Sequence, residues 1–344
     1  MTEVAGLERR IERLWQESAA FGALLQPMAW AFGLGVALRR AAYRYGVLRT
    51  RHPGVPVIVV GGIRVGGTGK TPVVLWLAGE LQAAGLRPAI VSRGYGGMPQ
   101  HEPQLVTAQS DPRVVGDEAV LLARRSGLPV IVCTDRAAAA CRAVALGAAV
   151  IVADDGLQHY ALARDLEIAV VDGRRRFGNG RLLPAGPLRE PPARLRAVQL
   201  VLCNGSAWQP DMLPFTLRPS DFVSLAHGTV AAPGAIPVGP VAAVAGIGDP
   251  ERFLLLLRAL GFEPELIPVP DHGRVDLEKL RRATATPIVM TEKDAVKYPD
   301  CRDPNAWYLP VSIALSAEVR ERVLAVVGAR LPALRSTAGV GSLA

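Results

Sequence analysis

Short apolar runs alternate with amphipathic segments between residues 57 and 204. In the amphipathic segments, such as 72–84 and 117–125, apolar residues recur every three or four positions, which is the spacing of a helix with one buried face. The apolar runs are unbroken, which is typical of strands buried on both faces of a parallel sheet. The alternation therefore predicts an α/β fold. The predicted strands are Val57–Val60, Pro88–Ser92, Pro129–Cys133, Val150–Ala153, Ile168–Asp172 and Leu200–Asn204.

The alternation breaks between residues 212 and 235, where short strand-like pieces stand among proline, serine and glycine. This stretch is predicted to be a linker. A second alternating set follows, and one of its helices has a start signal, with Asp249 as the N-cap and Pro250 at the first helical position. The predicted organisation is an N-terminal segment 1–50, a domain 51–211, the linker 212–235 and a smaller α/β domain 236–334. Within the last, strands are predicted at 241–245, 265–269, 288–291 and 307–312, and helices at 250–260, 276–283 and 317–328.

A glycine-rich turn follows the strand predicted at Val57–Val60 and ends in Gly-Lys-Thr. Glycines let successive backbone N–H groups curl round phosphate oxygens, and the N-terminus of the next helix adds its positive dipole end. Lys70 neutralises phosphate charge and the Thr71 hydroxyl can ligate magnesium, so the turn predicts binding of ATP or GTP. The usual spacing has glycine where this chain has Arg64, so the turn is a variant phosphate loop. Its predicted nucleotide-binding residues are Gly66, Gly67, Thr68, Gly69, Lys70 and Thr71.

Two carboxylates, Asp154 and Asp155, follow another predicted strand. A strand that ends in an acid is how phosphate-loop enzymes bring a carboxylate to magnesium, opposite the Lys-Thr pair. Which of the two acids touches the metal stays open, as does the plainer interpretation of an ordinary strand-to-turn pair. Gln158 and His159 come next, and a histidine at this place fits a structural role as well as a catalytic one.

Three more segments place polar residues after strands or at a helix start. Asp117 and Glu118 open a predicted helix, where the dipole favours acids even without a function. Tyr95 lies in a glycine-rich turn, 92–97, that could present it to a ligand, although a plain turn would look the same. A long basic loop, 172–190, follows a strand, where α/β sheets bind ligands, so an anionic substrate is predicted there rather than a solvated charge run.

Two motifs in the C-terminal part have competing interpretations. His272 follows Asp271 at the end of a predicted strand and is free to reach across a cleft between domains, but a surface loop histidine fits as well. The stretch Thr291–Asp294 is similar to the guanine-reading signature, yet its lysine stands one position too late. GTP specificity is therefore not predicted.

The overall composition agrees with this pattern and adds a charge. At 344 residues the chain is long enough for two domains, each with its own core, and half of its residues are apolar. The net charge of +8 and the isoelectric point of about 9.7 predict an anionic partner, which a nucleotide, a phospholipid surface, a nucleic acid or a phosphorylated substrate would each satisfy. The four cysteines have no C-x-x-C spacing and are predicted to be reduced and structural, which implies the cytosolic side.

The N-terminal segment is the other compositional outlier. Residues 19–38 are mostly apolar, interrupted by Gln26 and Pro27, and a run of arginines begins at Arg39. The segment has about the length of a membrane span, and it lacks the short core and cleavage site of a signal peptide. Two interpretations stay open: an amphipathic helix that covers the first domain, or a helix in or on a membrane with its arginines on the anionic cytoplasmic leaflet.

Six segments occur in a characteristic order and spacing: GGTGKTP, SRGYGG, GDEAVLLARR, the block from DDGLQH to GPLREP, AGIGDPERF and TEKDAVK. Together they closely resemble the tetraacyldisaccharide 4'-kinase family of lipid A biosynthesis, from about Leu24 to Val326. DDGLQH and GRLLPAGPLRE are not general phosphate-loop motifs, so the resemblance is specific. It implies a membrane-associated kinase on the cytoplasmic face of the inner membrane of a Gram-negative cell. It also implies two α/β/α Rossmann-like domains joined by a two-stranded linker.

The resemblance further implies the reaction and its residues. The γ-phosphoryl of ATP moves, with Mg²⁺, to the 4'-hydroxyl of a tetraacylated glucosamine disaccharide 1-phosphate and yields lipid IVA. The implied catalytic residues are Asp117 as general base, His272 as its partner, Lys70 and Asp155. The implied metal ligands are Thr71, Asp154 and Asp155. The blocks expected to line the substrate cleft carry Tyr95, Glu118, Gln158, His159, Arg189 and Glu190.

The chain departs from the family pattern after His272, where members often carry a second histidine and this chain has Gly273. His272 is therefore the only candidate partner for Asp117. Two other functions compete with the kinase: a non-enzymatic nucleotide switch that binds a protein, and a kinase for a soluble small molecule. The missing guanine motif argues against the first, and the apolar, basic N-terminus against the second. Neither a nucleic-acid partner nor an obligate protein partner is predicted.

Overall fold

The computed structural model describes residues 11–15, 17–232, 234, 236–269 and 273–331, which form two β-sheets with helices packed on them. The helices are α1 Ala19–Leu24, α2 Gln26–Arg44, α3 Lys70–Ala83, α4 Pro112–Val115, α5 Asp117–Ser126, α6 Arg136–Ala145, α7 Pro250–Ala259, α8 Leu277–Ala283, α9 Glu292–Ala295 and α10 Ala317–Arg330, with a 3₁₀ helix at Pro192–Ala197. The strands are β1 Val57–Gly61, β2 Pro88–Ser92, β3 Gln104–Val106, β4 Val130–Val132, β5 Val150–Asp154, β6 Leu166–Asp172, β7 Leu200–Asn204, β8 Met212–Pro219, β9 Phe222–Ser224, β10 Val230–Ala231, β11 Pro240–Val244, β12 Glu263–Ile267, β13 Ile288–Thr291, β14 Ala306–Leu309 and β15 Val311–Ala314.

Nine strands form the first sheet, in the order β15-β8-β7-β6-β1-β5-β2-β4-β3. All pairs are parallel except the two at the edges, β15 with β8 and β3 with β4. The predicted α/β class with a parallel sheet is thereby confirmed. Strand β1 is buried at every residue, because α3, α5 and α10 cover one face of the sheet and α6 covers the other.

The central strands of the first sheet bring the predicted site together. Strand β1 lies between β5 and β6 and leads into the phosphate loop. Strand β5 ends at Asp154 and β6 ends at Asp172. Because the carboxyl ends of parallel strands meet at one edge of a sheet, the phosphate loop, the aspartate pair and the basic loop share that edge.

Six strands form the second sheet, in the order β10-β9-β14-β13-β11-β12. Four of them pair in parallel, and β9 and β10 add two antiparallel pairings at one side. Helix α7 packs on one face through Leu254 and Leu257, and Leu280 of α8 packs on the other. Asp249 caps α7 as predicted, since its carboxylate accepts a hydrogen bond from the Arg252 N–H at 3.4 Å.

The chain returns to the first sheet near its C-terminal end. Pro310 divides the strand predicted at 307–312, because proline has no N–H for a sheet ladder; β14 lies in the second sheet and β15 in the first. Helix α10 then packs Val323 into the core of the first sheet. The predicted segment 236–334 therefore contributes to both sheets. The predicted linker 212–235 is likewise shared, with β8 in the first sheet and β9 in the second. The division into domains stays a prediction.

Helices α1 and α2 lie against the later part of the basic loop. A Cβ at Gly33 would lie 2.8 Å from Leu182 Cδ1, so glycine allows α2 to approach that loop closely. Trp15 Nε1 donates a hydrogen bond to the Pro184 carbonyl at 2.9 Å. Within α2 the one buried residue is Ala29, so most of the helix surface is open. Across the described ranges, no helix combines the length and the apolar character that crossing a membrane requires.

Candidate active site

The phosphate loop, residues 62–71, joins β1 to α3. Gly69 has a φ of +97°, a left-handed conformation that favours glycine, and a Cβ there would lie 2.8 Å from Asn204 Nδ2. Asn204, the last residue of β7, donates from Nδ2 to the Thr68 carbonyl at 3.2 Å and so holds the turn. As the N-cap, Gly69 offers no side chain to the first turn of α3. The backbone N–H groups of that turn are therefore left for an anion.

Arg64 occupies the position where the usual spacing has glycine. Its side chain is 3% exposed and turns into the protein, where Nη1 donates to the Arg175 carbonyl at 3.2 Å and Nη2 lies 3.8 Å from Glu12 Oε1. Burial first, and then the Arg175 charge, lower the pKa of Arg64. The next residue is held too, because the Val65 N–H donates to the Pro187 carbonyl at 2.9 Å. Arg64 thus braces the loop from the interior.

Asp155 lies between two cations of the predicted site. Lys70 Nζ is 3.7 Å from its Oδ1, and Arg189 Nη1 donates to its Oδ2 at 2.8 Å. Burial alone would raise the pKa of Asp155, but Lys70 and Arg189 outweigh it and lower the pKa to about 2. Asp155 is therefore fully ionised at neutral pH. It links the phosphate-loop lysine to the arginine of the basic loop.

Asp154, one residue earlier, is in the opposite state. It is 2% exposed, and burial, followed by the charges of Glu118 and Asp155, raises its pKa to about 7. Its Oδ1 has no hydrogen-bond partner among the residues that the structure describes. A divalent cation would supply the missing partner and neutralise the charge, so this carboxylate fits Mg²⁺.

The remaining ligands of such a cation would have to be shared with the substrate. Within the described ranges, no group of three or more His, Cys, Asp or Glu side chains could hold a metal ion. Magnesium is usually bound by one or two carboxylates together with water and substrate phosphates, so a single buried carboxylate, Asp154, agrees with magnesium. Coordination by Thr71 or Asp155 stays a prediction.

Asp117 and Glu118 begin α5 on the same side of the sheet. Asp117 is 3% exposed, and its Oδ1 accepts a hydrogen bond from the Glu118 N–H at 2.8 Å. The helix start is pressed against the glycine-rich turn after β2: Gly116 has a φ of +90°, and a Cβ there would lie 2.6 Å from the Tyr95 carbonyl. Since Glu118 is close enough to raise the pKa of Asp154, this helix start faces the aspartate pair.

Glu190 is fully buried, and its predicted place in the lining of the substrate cleft stays a prediction. Its carboxylate accepts hydrogen bonds from Gln158 Nε2 at 2.7 Å and from the Tyr160 hydroxyl at 2.6 Å, and Arg194 Nε lies 3.4 Å away. Gln158 also donates to the Gly62 carbonyl at 3.0 Å. Through Gln158, Glu190 is linked to the first residue of the phosphate loop.

His159 is a neutral histidine with a structural contact. Its Nε2 accepts a hydrogen bond from the Arg136 N–H at 3.2 Å, and burial, followed by the Arg136 charge, lowers its pKa to about 4. Arg136 is 5% exposed, and burial lowers its pKa to about 10 although Asp155 and Asp154 oppose the shift. Sequence reasoning did not single out Arg136. Its signal is a basic residue in the first helical turn after β4, at the edge where the aspartates lie.

The open side of the site carries Tyr95 and Arg189. Tyr95 is 60% exposed. Burial alone would lower the pKa of the Arg189 guanidinium, but Asp155 outweighs burial and raises that pKa, and Tyr95 is close enough to add to the rise. Tyr95 can therefore meet a substrate. Contact of substrate with Tyr95, Gln158 or His159 stays a prediction. His272 and the preceding Asp271 lie outside the described residues.

A loop of the second sheet touches the phosphate loop. A Cβ at Gly248, in the turn between β11 and α7, would lie 2.5 Å from the Gly67 nitrogen, so only glycine fits this approach. Arg175 connects the two loops: it donates to the Gly248 carbonyl at 2.9 Å and to the Gly67 carbonyl. Beside it, Arg252 of α7 pairs with Asp172 at 3.1 Å. The segment AGIGDPERF therefore packs against the outer wall of the nucleotide site.

A parallel sheet whose central strand leads into a phosphate loop, with an aspartate pair on the neighbouring strand, defines a phosphate-loop nucleotide-binding protein. The family described as tetraacyldisaccharide-1-P 4'-kinase matches residues 21–328 of the chain. The chain therefore belongs to the tetraacyldisaccharide 4'-kinase family, which confirms the resemblance predicted from its motifs.

Individual relatives agree with this assignment. Tetraacyldisaccharide 4'-kinases of Nitrosococcus oceani and Aeromonas hydrophila are 46% and 47% identical, over 92% and 93% of this chain and 94% and 96% of theirs. That of Alkalilimnicola ehrlichii is 48% identical, over 90% of this chain and 93% of its own. The crystal structure of LpxK from Aquifex aeolicus in complex with ATP is 26% identical and superimposes with a TM-score of 0.75, over 90% of this chain and 99% of that one.

Proposed function

We propose that the protein transfers the γ-phosphoryl of ATP to the 4'-hydroxyl of tetraacyldisaccharide 1-phosphate and so forms lipid IVA. The observation that carries this proposal is the shared edge of the first sheet, where the phosphate loop, the Asp154–Asp155 pair and the buried Asp117 converge on one place. Membership of the kinase family supports the same reaction and the same acceptor.

The chain's own residues divide the work of the transfer. The phosphate loop holds the triphosphate, and Lys70, 3.7 Å from Asp155, places a positive charge where the phosphoryl group moves. The oxygen of the sugar 4'-hydroxyl forms the new bond to the γ-phosphorus while Asp117 accepts the hydroxyl proton. The bond between the γ-phosphorus and the bridging oxygen breaks, and that oxygen leaves with ADP. His272 is proposed to orient Asp117. A sugar hydroxyl is a poor nucleophile, so alignment and a nearby base supply most of the rate.

Magnesium fits the same edge. Asp154 offers a buried carboxylate oxygen without a hydrogen-bond partner among the described residues, and Thr71 follows the phosphate-loop lysine. Asp155 Oδ1 likewise accepts no hydrogen bond from the described residues, but the ion pairs with Lys70 and Arg189 already neutralise Asp155, so we assign Asp154 as the closer ligand. When bound, the ion would spread the negative charge that develops on the phosphates.

Helix α2 is proposed to lie on the cytoplasmic face of the inner membrane, beside the acyl chains of the substrate. Trp30, Leu34 and Leu38 recur at intervals of four residues and are 68%, 61% and 61% exposed. Arginines follow from Arg39 onward, where they can meet anionic lipid headgroups. The Arg40 Nε lies 3.9 Å from the buried Glu190, which links this helix to the site. Residues 1–50, 51–211, 212–235 and 236–334 are proposed as membrane segment, kinase domain, linker and second domain.

The direct test is incubation of the purified full chain with [γ-³²P]ATP, Mg²⁺ and tetraacyldisaccharide 1-phosphate in mixed micelles. The ³²P label should appear in the lipid. A control lipid whose 4'-hydroxyl already carries a phosphate should take up no label. A matched incubation with soluble sugars and nucleosides tests the alternative of a small-molecule kinase. Label in those acceptors and not in the lipid would refute the proposed reaction.

The membrane proposal has its own test. Trp30→Gln with Leu34→Gln should weaken flotation of the full chain with vesicles of anionic phospholipid, because each change removes exposed apolar surface from the lipid-facing side. Leu146→Gln with Leu255→Gln, two apolar residues exposed elsewhere, is the matched control and should float like the original chain. Equal flotation of both variants would contradict a membrane role for α2.

A further inference from the structure

The TEKDAVK segment, for which guanine recognition was not predicted, lies between the second sheet and helix α5 of the first. It contains the end of β13, helix α9 and Lys297. Three of its charged side chains reach α5: Glu292 pairs with Arg125 at 2.8 Å, Lys293 with Glu118 at 3.1 Å, and Lys297 with Asp117 at 3.5 Å. The last of these contacts is the one that touches the proposed general base.

Lys297 is held in place by partners other than Asp117. The lysine is 3% exposed, and a lysine is almost never this buried unless it is paired. Its Nζ donates to Asp294 Oδ1 at 2.8 Å and to the Gly273 carbonyl at 2.9 Å. Asp294 is itself held, because its Oδ2 accepts hydrogen bonds from the Thr291 hydroxyl at 2.6 Å and from the Gly246 N–H at 2.8 Å.

The contact with Asp117 is longer than the contact with Asp294. Lys297 Nζ lies 3.5 Å from Asp117 Oδ2 and 2.8 Å from Asp294 Oδ1, so its closer ion pair is with Asp294 while it still reaches and orients the Asp117 carboxylate. A base bound tightly to a full positive charge would be a poor proton acceptor. The sharing of one lysine between two buried carboxylates therefore holds Asp117 in place and leaves it able to accept a proton.

We propose that Lys297 is a positioning residue for the phosphoryl transfer, which sets the orientation of Asp117 from the second sheet. The same ammonium group donates a hydrogen bond to the carbonyl of Gly273, the residue after His272. Full activity then requires the second sheet to hold its place against α5. The inference rests on the proposed function, because it takes Asp117 as the base.

The test compares Lys297→Met with Lys279→Met, the same change at an exposed lysine of α8. Lys297→Met should lower kcat roughly ten- to a hundredfold and leave the KM for ATP within about twofold, since loss of base positioning acts on the chemical step. Lys279→Met should match the original chain. An unchanged kcat, or a raised KM with normal kcat, would overturn the proposal, because the lysine would then only help the two sheets to close.

Two further variants keep the test decisive. Lys297→Met leaves Asp117 and Asp294 buried without their cation and is at risk of unfolding, so Lys297→Met with Asp294→Asn removes the pair together. The folded double variant should show the same loss of kcat, and full kcat would overturn the proposal. In an Asp117→Asn background, Lys297→Met should lower kcat by less than a further factor of about two. A second loss of kcat as large as that in the original chain would show that Lys297 acts independently of Asp117 and would overturn the proposal.

These outcomes are distinct from failure of the proposed function. If the original chain transfers no phosphoryl group to the lipid, the kinase assignment fails and the variants carry no weight for it. If the original chain is active and Lys297→Met is equally active, the kinase assignment stands and only the role of the lysine is refuted.

Discussion

The carboxyl edges of the two sheets carry buried acids in opposite states. On the first sheet, Asp154 has an oxygen without a hydrogen-bond partner among the described residues, and burial above all raises its pKa to about 7. On the second sheet, Asp294 is 1% exposed, yet both of its oxygens are bonded, one to Lys297 and the other to the Thr291 hydroxyl and the Gly246 N–H.

The difference between Asp154 and Asp294 indicates different roles for the two edges, ligand binding at the first and positioning of side chains at the second. A buried charge that the protein leaves without a partner costs free energy until a ligand arrives, which supports our proposal that the first edge binds a cation together with the triphosphate. An acid whose partners are all internal has nothing left to offer a ligand and can only hold its neighbours in place. Changes at the first edge should therefore abolish catalysis, and changes at the second should weaken it or loosen the contact between the sheets.

The largest effect is expected from Lys70→Ala at the first edge. The change removes a charge-assisted contact with the transferring phosphoryl group and should cost about 3 kcal/mol or more of transition-state stabilisation, which is at least a hundredfold in kcat/KM. Turnover of labelled lipid measures it, and Lys279→Ala on the exposed face of α8 is the control. Near-normal turnover of a folded Lys70→Ala protein would remove the phosphate loop from the mechanism.

Asp117→Asn should lower kcat by about a hundredfold with ATP binding nearly unchanged, because the amide keeps the shape of the carboxylate but cannot accept the proton. Titration calorimetry with ATP and steady-state turnover separate the two effects. Asp211→Asn, at an exposed position, makes the same chemical change away from the site. Full kcat in Asp117→Asn would leave alignment in the cleft as the main source of rate.

Substituting Asp154 and substituting Asp155 by asparagine should shift the Tm in opposite directions. Between pH 4 and pH 7, the folded protein keeps a proton on Asp154 that the unfolded chain has lost, because the pKa rises from 3.8 to about 7 on folding. The free energy of unfolding therefore falls as pH rises through this range. Asp154→Asn should remove that fall and raise the Tm of the ligand-free protein at pH 8 by roughly 3 to 8 °C, and by less at pH 5.

Asp155→Asn should do the reverse. The pKa of Asp155 is lowered to about 2 in the folded state, so its stabilisation is complete above the unfolded value of 3.8 and is lost progressively as pH falls from 3.8 through 2. At pH 8, Asp155→Asn should lower the Tm by a few degrees, since Lys70 and Arg189 lose their anion. Thermal unfolding of both variants in the same buffer is the measurement. Shifts of the same sign would contradict the opposite states of the two acids.

Much of the first edge could be predicted from the sequence, because its elements are local. The strands are unbroken apolar runs, the phosphate loop is one short motif, and Asp154 and Asp155 end the strand beside it. The variant Arg64 could not be interpreted from spacing alone. Its side chain is accommodated by Glu12 and Arg175, which lie far away in the chain.

The second edge was harder to predict, because its contacts join distant segments. The Lys297 contact with Asp117 spans the two sheets, and nothing in TEKDAVK itself names its partner. The return of β15 and α10 to the first sheet was missed for a related reason. An apolar run does not state which sheet it joins, and only the break at Pro310 separates β14 from β15. Burial of Glu190 likewise depends on Tyr160 and Arg194 rather than on its own motif.

The smallest effect is expected where the two edges are joined by a partly exposed ion pair. Arg252→Gln removes the 3.1 Å contact with Asp172, whose carboxylate keeps Arg175 and two backbone N–H groups as partners. The loss should be below about 1 kcal/mol, or a Tm shift of one to three degrees, with kcat within about twofold. Arg258→Gln, on the same helix but in a solvent-exposed pair with Glu251, should show no shift at all. If Arg252→Gln instead lowered kcat as strongly as Asp117→Asn, the second sheet would take part in the chemistry itself, and the division between a binding edge and a positioning edge would fail.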